Sequence, residues 1–298
     1  MNYTVYDSAF KTIVEKMPKL VIPVVNEIFN QNYSYNEKIT HLLTEYQKDG
    51  TKIISDSVLE IKKCLYHIEC QSKDDSTMSI RMIEYDFKIA LDNAEKKDDI
   101  YEMHFPRSAV IYVRHSNTTP DKLKVRVIFP DGSEHIYSIP TMKFQQYDTD
   151  EIFEKDLLMA LPFRIIKYEE EMPLIAKDPV KRQEFLDEYN EIINRLEKAQ
   201  MVSESDSLYK DLIVVMQRVA DYVLRNYDDI RDEVDNKMKG IVFELPSDKL
   251  REQRAEGKLE GKLEEQLEFY KRCIKKGMSK EDALELSMLP EDKIPESE

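Results

Sequence analysis

Two carboxylates and one amide, Asp56, Glu69 and Gln71, are the residues of this sequence whose types and spacing best suit chemistry. They lie in the segment IISDSVLEIKKCLYHIECQS, where apolar and polar residues alternate on both sides of Lys62-Lys63. Alternation rich in Ile, Val, Leu and Tyr is typical of strands, and the pair of lysines in the middle indicates a turn. The sequence therefore predicts a β-hairpin between about Lys52 and Gln71 that positions the three side chains.

The register of this hairpin decides whether the two carboxylates meet. If Lys62-Lys63 is a two-residue turn, Ile61 pairs with Cys64, and counting back places Asp56 opposite Glu69. Such neighbours lie about 5 Å apart at Cβ, close enough for two carboxylates to share one divalent ion, here Mg²⁺ or Mn²⁺. The bound ion would keep both carboxylates charged although they repel each other. Two lysines suit such a turn poorly, however, and a slip of one residue would move Asp56 to the other face.

The residues around this motif resemble a known nuclease family. The series Asp56, Glu69-Cys70-Gln71, Arg81 and Tyr85 is similar to the PD-(D/E)XK nuclease family transposases, also called Rpn-like recombination-promoting nucleases. The phrases SDSVLEI, YHIECQS, IRMIEYDFKIAL and EIFEKDLLMALPFRIIKYEEE carry the resemblance, and the tail EGKLEGKLEE is similar to the charged tails of that family. The resemblance covers most of the chain and is strongest from about Lys52 to Leu91.

This resemblance implies hydrolysis of DNA phosphodiester bonds with Mg²⁺ or Mn²⁺ as cofactor. Asp56 and Glu69 would coordinate the metal, and the main-chain carbonyl of Cys70 would add a third ligand. The metal would polarise the phosphate and lower the pKa of the attacking water. The family often has Lys where this chain has Gln71, which can orient a water but brings no positive charge.

Another cation is therefore needed beside Gln71. Arg81 is the first candidate, with Lys73 behind it, and Tyr85 lies one helical turn after Arg81. Arg81 and Tyr85 are equally well explained as a structural cap over the sheet. His67 shares the strand face of Glu69, but we interpret it as a hydrogen-bonded neighbour and leave it out of the site.

A second group of residues is a candidate for contact with the DNA backbone. Lys122, Lys124 and Arg126 alternate with apolar residues, which predicts a strand with three positive charges on one face. Lys and Arg supply most phosphate contacts, so we assign these three residues, together with Lys73, to DNA binding. Lysines also protect sheet edges from aggregation, and this alternative is slightly favoured.

The remaining pattern predicts a mixed α/β or α+β fold, because helices, a hairpin, a helix and further strands follow one another. The resemblance implies a restriction-endonuclease-like core, with a mixed central sheet flanked by helices and followed by an α-helical C-terminal region. Pro18 and Pro23 should divide the first helical run. The segment MSIRMIEYDFKIALDNA should form an amphipathic helix, and His135–Ile139 a strand. The chain should be helical after Thr149, with the part up to Tyr168 packed on the core and a helical hairpin from about Lys177 to Tyr227. We expect a nuclease-like domain at 1–175, a helical accessory region at 176–246 and a charged helical tail at 247–298.

Composition narrows the possible functions. The chain has 298 residues, 35% of them charged, a formal net charge of −15 and three cysteines without a CxxC pair. The acidic excess confines any DNA contact to a local basic strip. The absence of an apolar run of roughly 18 residues argues against a membrane span, and the lack of a signal-peptide pattern predicts a cytoplasmic protein.

Two other functions stay open. The first is a nuclease fold with weak or absent chemistry that acts through its helical tail, and the change from Lys to Gln71 and the strong acidity favour it. The second is a toxin or defence nuclease that cleaves RNA. The leucine-bearing tail also allows a homodimer through the C-terminal helix.

Overall fold

The structure is a computed structural model, and it describes most of the chain up to residue 238. Described are residues 4–42, 45–48, 51–54, 57–72, 75–202 and 206–238, and single positions in the tail. Asp56 and Lys73 of the predicted site lie outside the described residues. Residues 1–243 form one unit and residues 244–298 a second, in which the described positions 266, 267, 270, 271 and 274 are helical.

The described strands form one large sheet and two small hairpins. Their bounds are β1 Ile39–His41, β2 Glu45–Lys48, β3 Thr51–Ile54, β4 Val58–Ile61, β5 Cys64–Gln71, β6 Glu95–Lys97, β7 Ile100–Glu102, β8 Arg107–Tyr112, β9 Lys122–Ile128 and β10 Glu134–Lys143. The six-stranded sheet has the order β1-β4-β5-β8-β10-β9, while β2 pairs with β3 and β6 with β7. Pairing is parallel for β5–β8 and β8–β10 and antiparallel elsewhere, so the sheet is mixed.

Helices cover both faces of this sheet. They are α1 Val5–Lys16, α2 Val21–Phe29, α3 Met78–Asp92, α4 Thr149–Glu154, α5 Met172–Ile175, α6 Pro179–Val202, α7 Asp206–Val223 and α8 Asp228–Met238, with 3-10 segments at Pro18–Leu20, Phe144–Gln146 and Leu158–Tyr168. The predicted mixed α/β class is thus confirmed. Within the described residues, no helix has the length and apolar character that crossing a membrane requires.

The turn that sets the register of the central hairpin is the predicted one. Ile61 pairs with Cys64 and Val58 with His67. Lys62 and Lys63 both adopt the left-handed conformation, with φ of 47° and 65°, as a primed two-residue turn requires. Thr51–Ile54, which the sequence assigns in part to the first strand of this hairpin, pairs with Glu45–Lys48.

The parallel pairing of β5 and β8 needs a crossover, and α3 provides it. This helix packs on one face of the sheet through Met78 and Met82, which contact Val110, Tyr112 and Ile139. Past Ile139, β10 pairs with β8, so this strand extends beyond the predicted His135–Ile139.

The opposite face of the sheet lies on the main hydrophobic core. Tyr66, Ile68 and Ile111 from the sheet are buried there with side chains from α1, α2 and α7. Pro18 separates the first two helices as predicted, but Pro23 does not break α2, since it lies in the first turn, where its missing N–H costs no hydrogen bond.

The segment after residue 149 differs in detail from the expected helices. Leu158–Tyr168 packs on the core as predicted, but it is a 3-10 helix that contains Pro162 and is buried along most of its length. α6 and α7 form the predicted helical hairpin. Residues of both helices belong to the same buried cluster as the sheet.

Candidate active site

Glu69 lies near the carboxyl end of β5, on the sheet face that α3 covers. Its side chain is only 2% exposed, and that of His67, two residues earlier on the same face, is fully buried. Glu69 Oε1 lies 3.0 Å from His67 Nε2. Because side chains two apart on a strand share a face, the strand itself brings this pair together.

Asp86 of α3 lies on the other side of the imidazole. Its Oδ1 is 2.6 Å from His67 Nδ1 and accepts a second hydrogen bond of 2.6 Å from Ser108 Oγ on β8. Tyr137 of β10 donates to Asp86 Oδ2 at 2.7 Å. The carboxylate of Asp86 is completely buried, and its hydrogen bonds connect α3 to the strands β5, β8 and β10.

Each ring nitrogen of His67 faces a carboxylate, and an ionised carboxylate accepts hydrogen bonds but donates none, so this arrangement favours the imidazolium, in which both nitrogens donate. Burial alone would lower the pKa of His67, but the hydrogen bonds to Asp86 and Glu69 outweigh it and raise this pKa to about 9. The doubly protonated ring is thus the form that the two flanking carboxylates stabilise.

Arg81 lies beside Glu69, and together with His67 and Asp86 these residues form a cluster of which Arg81 is the partly exposed member. Its side chain is 31% exposed, and Nη2 lies 3.8 Å from Glu69 Oε2. Nη1 donates to Asp75 at 3.0 Å, and Nε donates to the Tyr85 hydroxyl at 3.4 Å. Burial opposes the charge of Arg81, but these hydrogen bonds and the charge of Glu69 raise its pKa further above its ordinary value.

The predicted site residues are thus brought together in part. Glu69, Arg81 and Tyr85 are neighbours, and Tyr85 also packs its ring 6.0 Å from that of His67. Gln71 is half-buried, and strand alternation places its side chain on the face of Glu69. Cys70 is buried in the core on the opposite face.

The described residues contain no group of three or more His, Cys, Asp or Glu side chains that could hold a metal ion. Glu69, His67 and Asp86 lie in a row because the imidazole separates the two carboxylates. A carboxylate oxygen is the kind of ligand that Mg²⁺ takes, and Glu69 Oε2 is the oxygen that His67 does not contact. The described residues therefore supply one fitting carboxylate, and Asp56, the other predicted ligand, lies outside them.

The basic strip is exposed but lies on the other face of the sheet. Lys122, Lys124 and Arg126 alternate along β9 with half-buried residues. Leu123 pairs with Ile139, whose side chain packs under α3 on the face of Glu69, so the three cations point the opposite way. Among the described strands β9 is the last of the sheet, which fits the alternative interpretation as edge protection.

Two surface clefts also lie apart from the cluster. One, of about 490 Å³, is bordered by Arg114, Gln145 and Lys167, and another, of about 430 Å³, by Glu60 and Arg107. Glu69 lines neither of them.

The interpretation of His67 as a hydrogen-bonded neighbour of Glu69 is confirmed. Sequence reasoning missed the residues that hold the imidazole from its other side. Asp86 carried a signal, since a charged residue between Met82 and Ile89 interrupts the apolar stripe of α3. Ser108 and Tyr137 gave no local signal, because only the pairing of distant strands brings them to Asp86.

Comparison of the chain with family models, curated proteins and solved structures gave no match.

Proposed function

We propose that this protein is a metal-dependent nuclease that hydrolyses DNA phosphodiester bonds, with Glu69 in its active site. The observation that carries the proposal is the meeting of Glu69 with Arg81, a carboxylate and a partly exposed guanidinium 3.8 Å apart. Metal-dependent hydrolysis of a phosphodiester needs at least a ligand that holds the metal and a cation that binds the phosphate, and these two groups lie side by side here.

The topology around Glu69 supports the proposal. An antiparallel hairpin, β4–β5, is followed by the crossover helix α3 and the parallel strand β8. This order fits the restriction-endonuclease-like core that the resemblance implies. The confirmed register of β4–β5 also favours the predicted pairing of Asp56 with Glu69, since Ser57 O still accepts a hydrogen bond from Ile68 N.

In this proposal the protein side chains have separate tasks. Asp56 and Glu69 would hold Mg²⁺ or Mn²⁺, which when bound supplies a Lewis acid for the phosphate and lowers the pKa of a water. Arg81 binds a phosphate oxygen through its planar guanidinium and supplies the charge that Gln71 lacks. Tyr85 orients Arg81 by accepting a hydrogen bond from Nε, and Gln71 orients the attacking water.

The direct test is cleavage by the purified full chain. Supercoiled DNA, single-stranded DNA and RNA are each incubated with Mg²⁺, with Mn²⁺ or with EDTA. We expect metal-dependent cleavage of DNA, with losses of at least about 100-fold in Glu69→Gln and in Asp56→Asn. Glu60→Gln, an equivalent change in the same hairpin, should cleave like the wild type.

Cleavage that persists undiminished in Glu69→Gln, or its absence from the wild type with either metal, would reject the proposal. Preferential cleavage of RNA would leave the proposed active site unchanged and would identify RNA, not DNA, as the substrate.

One observation favours a second candidate, a nuclease fold that acts by binding a partner. The charge of Glu69 is already matched by His67 and Arg81 without any metal. A ligand that binds the folded state raises its melting temperature. For this candidate we expect no rise in melting temperature with Mn²⁺ that depends on Glu69, so the wild type and Glu69→Gln should respond alike, whereas the nuclease predicts a rise only in the wild type.

A further inference from the structure

Asp86 is held far more tightly than an ordinary helix residue. Its two oxygens accept three hydrogen bonds of 2.6 to 2.7 Å, from His67, Ser108 and Tyr137. These donors come from β5, β8 and β10, so the position of the carboxylate is fixed relative to the whole sheet. Hydrogen bonds to a charged acceptor are short and strong, and burial excludes water that could replace them.

This fixed carboxylate determines the orientation of the His67 ring. With Nδ1 bound to Asp86, Nε2 can point only along the line on which Glu69 Oε1 lies, 3.0 Å away. Tyr85 packs against the ring and limits its rotation further. His67 thus holds one oxygen of the Glu69 carboxylate, and the second oxygen lies 3.8 Å from Arg81 Nη2.

We propose that Asp86 and His67 are positioning residues that fix the Glu69 carboxylate for the reaction, with Ser108 and Tyr137 holding Asp86 in place. Neither Asp86 nor His67 needs to touch the substrate. This inference rests on the proposed function, because the carboxylate that they position is its suggested metal ligand.

The test uses two variants of different severity, each with a matched control. Asp86→Asn keeps the shape of the side chain and removes its charge, while Tyr137→Phe removes one of the three hydrogen bonds and keeps the ring. Asp92→Asn is the same change further along α3, and Tyr101→Phe is the same change at an exposed tyrosine. For each chain we measure kcat and KM for DNA, the melting temperature, and the distance from Glu69 Oε1 to His67 Nε2 in a crystal structure without metal.

Loss of an outer partner of a metal ligand typically costs about 10- to 100-fold in activity. We expect such a fall in kcat for Asp86→Asn and a smaller fall for Tyr137→Phe, with KM for DNA within about 2-fold of the wild type. The crystal structure of Asp86→Asn should show the Glu69 carboxylate displaced from His67. Both controls should match the wild type.

Wild-type kcat in both variants, or a Glu69 carboxylate that stays in place in Asp86→Asn, would overturn the positioning role. So would a fall in activity that merely follows the melting temperature. If the wild-type chain cleaves no DNA with either metal, the proposed function fails, and the crystal structures alone then decide whether Asp86 positions Glu69.

Discussion

At the scale of single residues, the row Glu69, His67 and Asp86 places three ionisable side chains in the protein interior. A buried charge is tolerated only when opposite charges and hydrogen bonds compensate its lost hydration. Here each carboxylate borders the imidazolium, and Ser108 and Tyr137 satisfy the remaining positions of Asp86. Removal of one member leaves the others uncompensated, so the row behaves as one unit in stability and in any chemistry it supports.

The first prediction concerns the pH dependence of folding. The pKa of His67 rises from about 6.5 in the unfolded chain to about 9 in the folded one, so the folded state binds the proton more tightly. Its contribution to the free energy of unfolding is complete below pH 6.5 and disappears as the pH rises through about 9. Urea unfolding between about pH 6 and pH 10 should show this decline in the wild type.

Other groups titrate in the same range, so the comparison with His67→Gln isolates the effect. The difference between wild type and variant should shrink as the pH rises. A difference independent of pH would show that the ring is uncharged at neutral pH.

The second prediction concerns Arg81. Removal of a cation that stabilises developing negative charge typically costs about 100- to 1000-fold in kcat. We expect a loss of this size in Arg81→Ala and a partial recovery in Arg81→Lys, which keeps the charge but loses the planar fork. Steady-state cleavage of DNA gives both values.

Lys88→Ala is the matched control, since this half-exposed lysine lies on the same helix and forms an ion pair of 2.8 Å with surface Asp92. Equal activity losses in Arg81→Ala and Lys88→Ala would point to general weakening of DNA binding instead.

At the scale of elements, the Lys62-Lys63 turn carries a conformational strain that its contacts offset. A left-handed backbone costs an ordinary residue roughly 1 to 2 kcal/mol. Lys62 Nζ lies 2.8 Å from Glu37 and over the ring of Tyr33, and these contacts draw the turn onto the segment before β1. Long-range contacts and the buried faces of the strands thus fix the register of the β4–β5 hairpin, although Lys-Lys is an unfavourable sequence for this turn.

The third prediction follows from this strain. Lys63→Gly should raise the free energy of unfolding by about 0.5 to 1 kcal/mol, because glycine adopts positive φ without steric cost but loses more backbone entropy. Lys62→Gly should gain less, since it also loses the contacts with Glu37 and Tyr33. Chemical denaturation measures both changes.

Gly132 provides the reverse control. It lies in the β9–β10 turn at a φ of 83° with open space around it, so Gly132→Ala should destabilise through backbone strain alone. If Lys63→Gly is destabilising, the turn is not strained in solution.

The elements show which features a single sequence can predict. Local patterns gave the mixed class, α3, the Ile61–Cys64 register and the α6–α7 hairpin, since each depends on periodicity or on a turn within a few residues. Thr51–Ile54 pairs locally with Glu45–Lys48, in a hairpin that the strand pattern did not indicate. The extension of β10 along β8 depends on a partner far away in the chain. For the same reason the sequence indicated Glu69 and Arg81 but not the bonds from Ser108 and Tyr137.

At the scale of the whole molecule, Glu188 of α6 connects the helical layer to the 3-10 segment. Arg164 donates to its Oε1 at 2.9 Å, Lys167 Nζ lies 2.5 Å from Oε2, and Tyr168 donates to the same oxygen. Burial alone would raise the pKa of Glu188, but these partners lower it to about 2. One carboxylate thus joins two layers of the fold.

The fourth prediction is a loss of stability in acid. Because the pKa of Glu188 is lower in the folded chain, its contribution is complete above about pH 4.5 and disappears as the pH falls toward about 2. Glu188→Gln should lower the free energy of unfolding at neutral pH by about 1 to 3 kcal/mol, the usual range for hydrogen bonds to a charged group. Its unfolding should also depend less on pH between about 5 and 3.

Glu191→Gln, an exposed change one turn later on α6, is the control and should keep the acid dependence of the wild type. An unchanged acid profile in Glu188→Gln would assign the acid sensitivity to other carboxylates.

The position of Lys122, Lys124 and Arg126 on the last described strand affects the aggregation of the protein. An edge strand offers N–H and C=O groups with which a strand of another chain can pair, and like charges on two approaching edges repel each other. High salt should weaken this repulsion, and replacement of all three residues by Gln should abolish it. Concentrated solutions of that variant should scatter more light and bind more amyloid dye than solutions of the wild type, whether or not the three residues contribute to DNA binding.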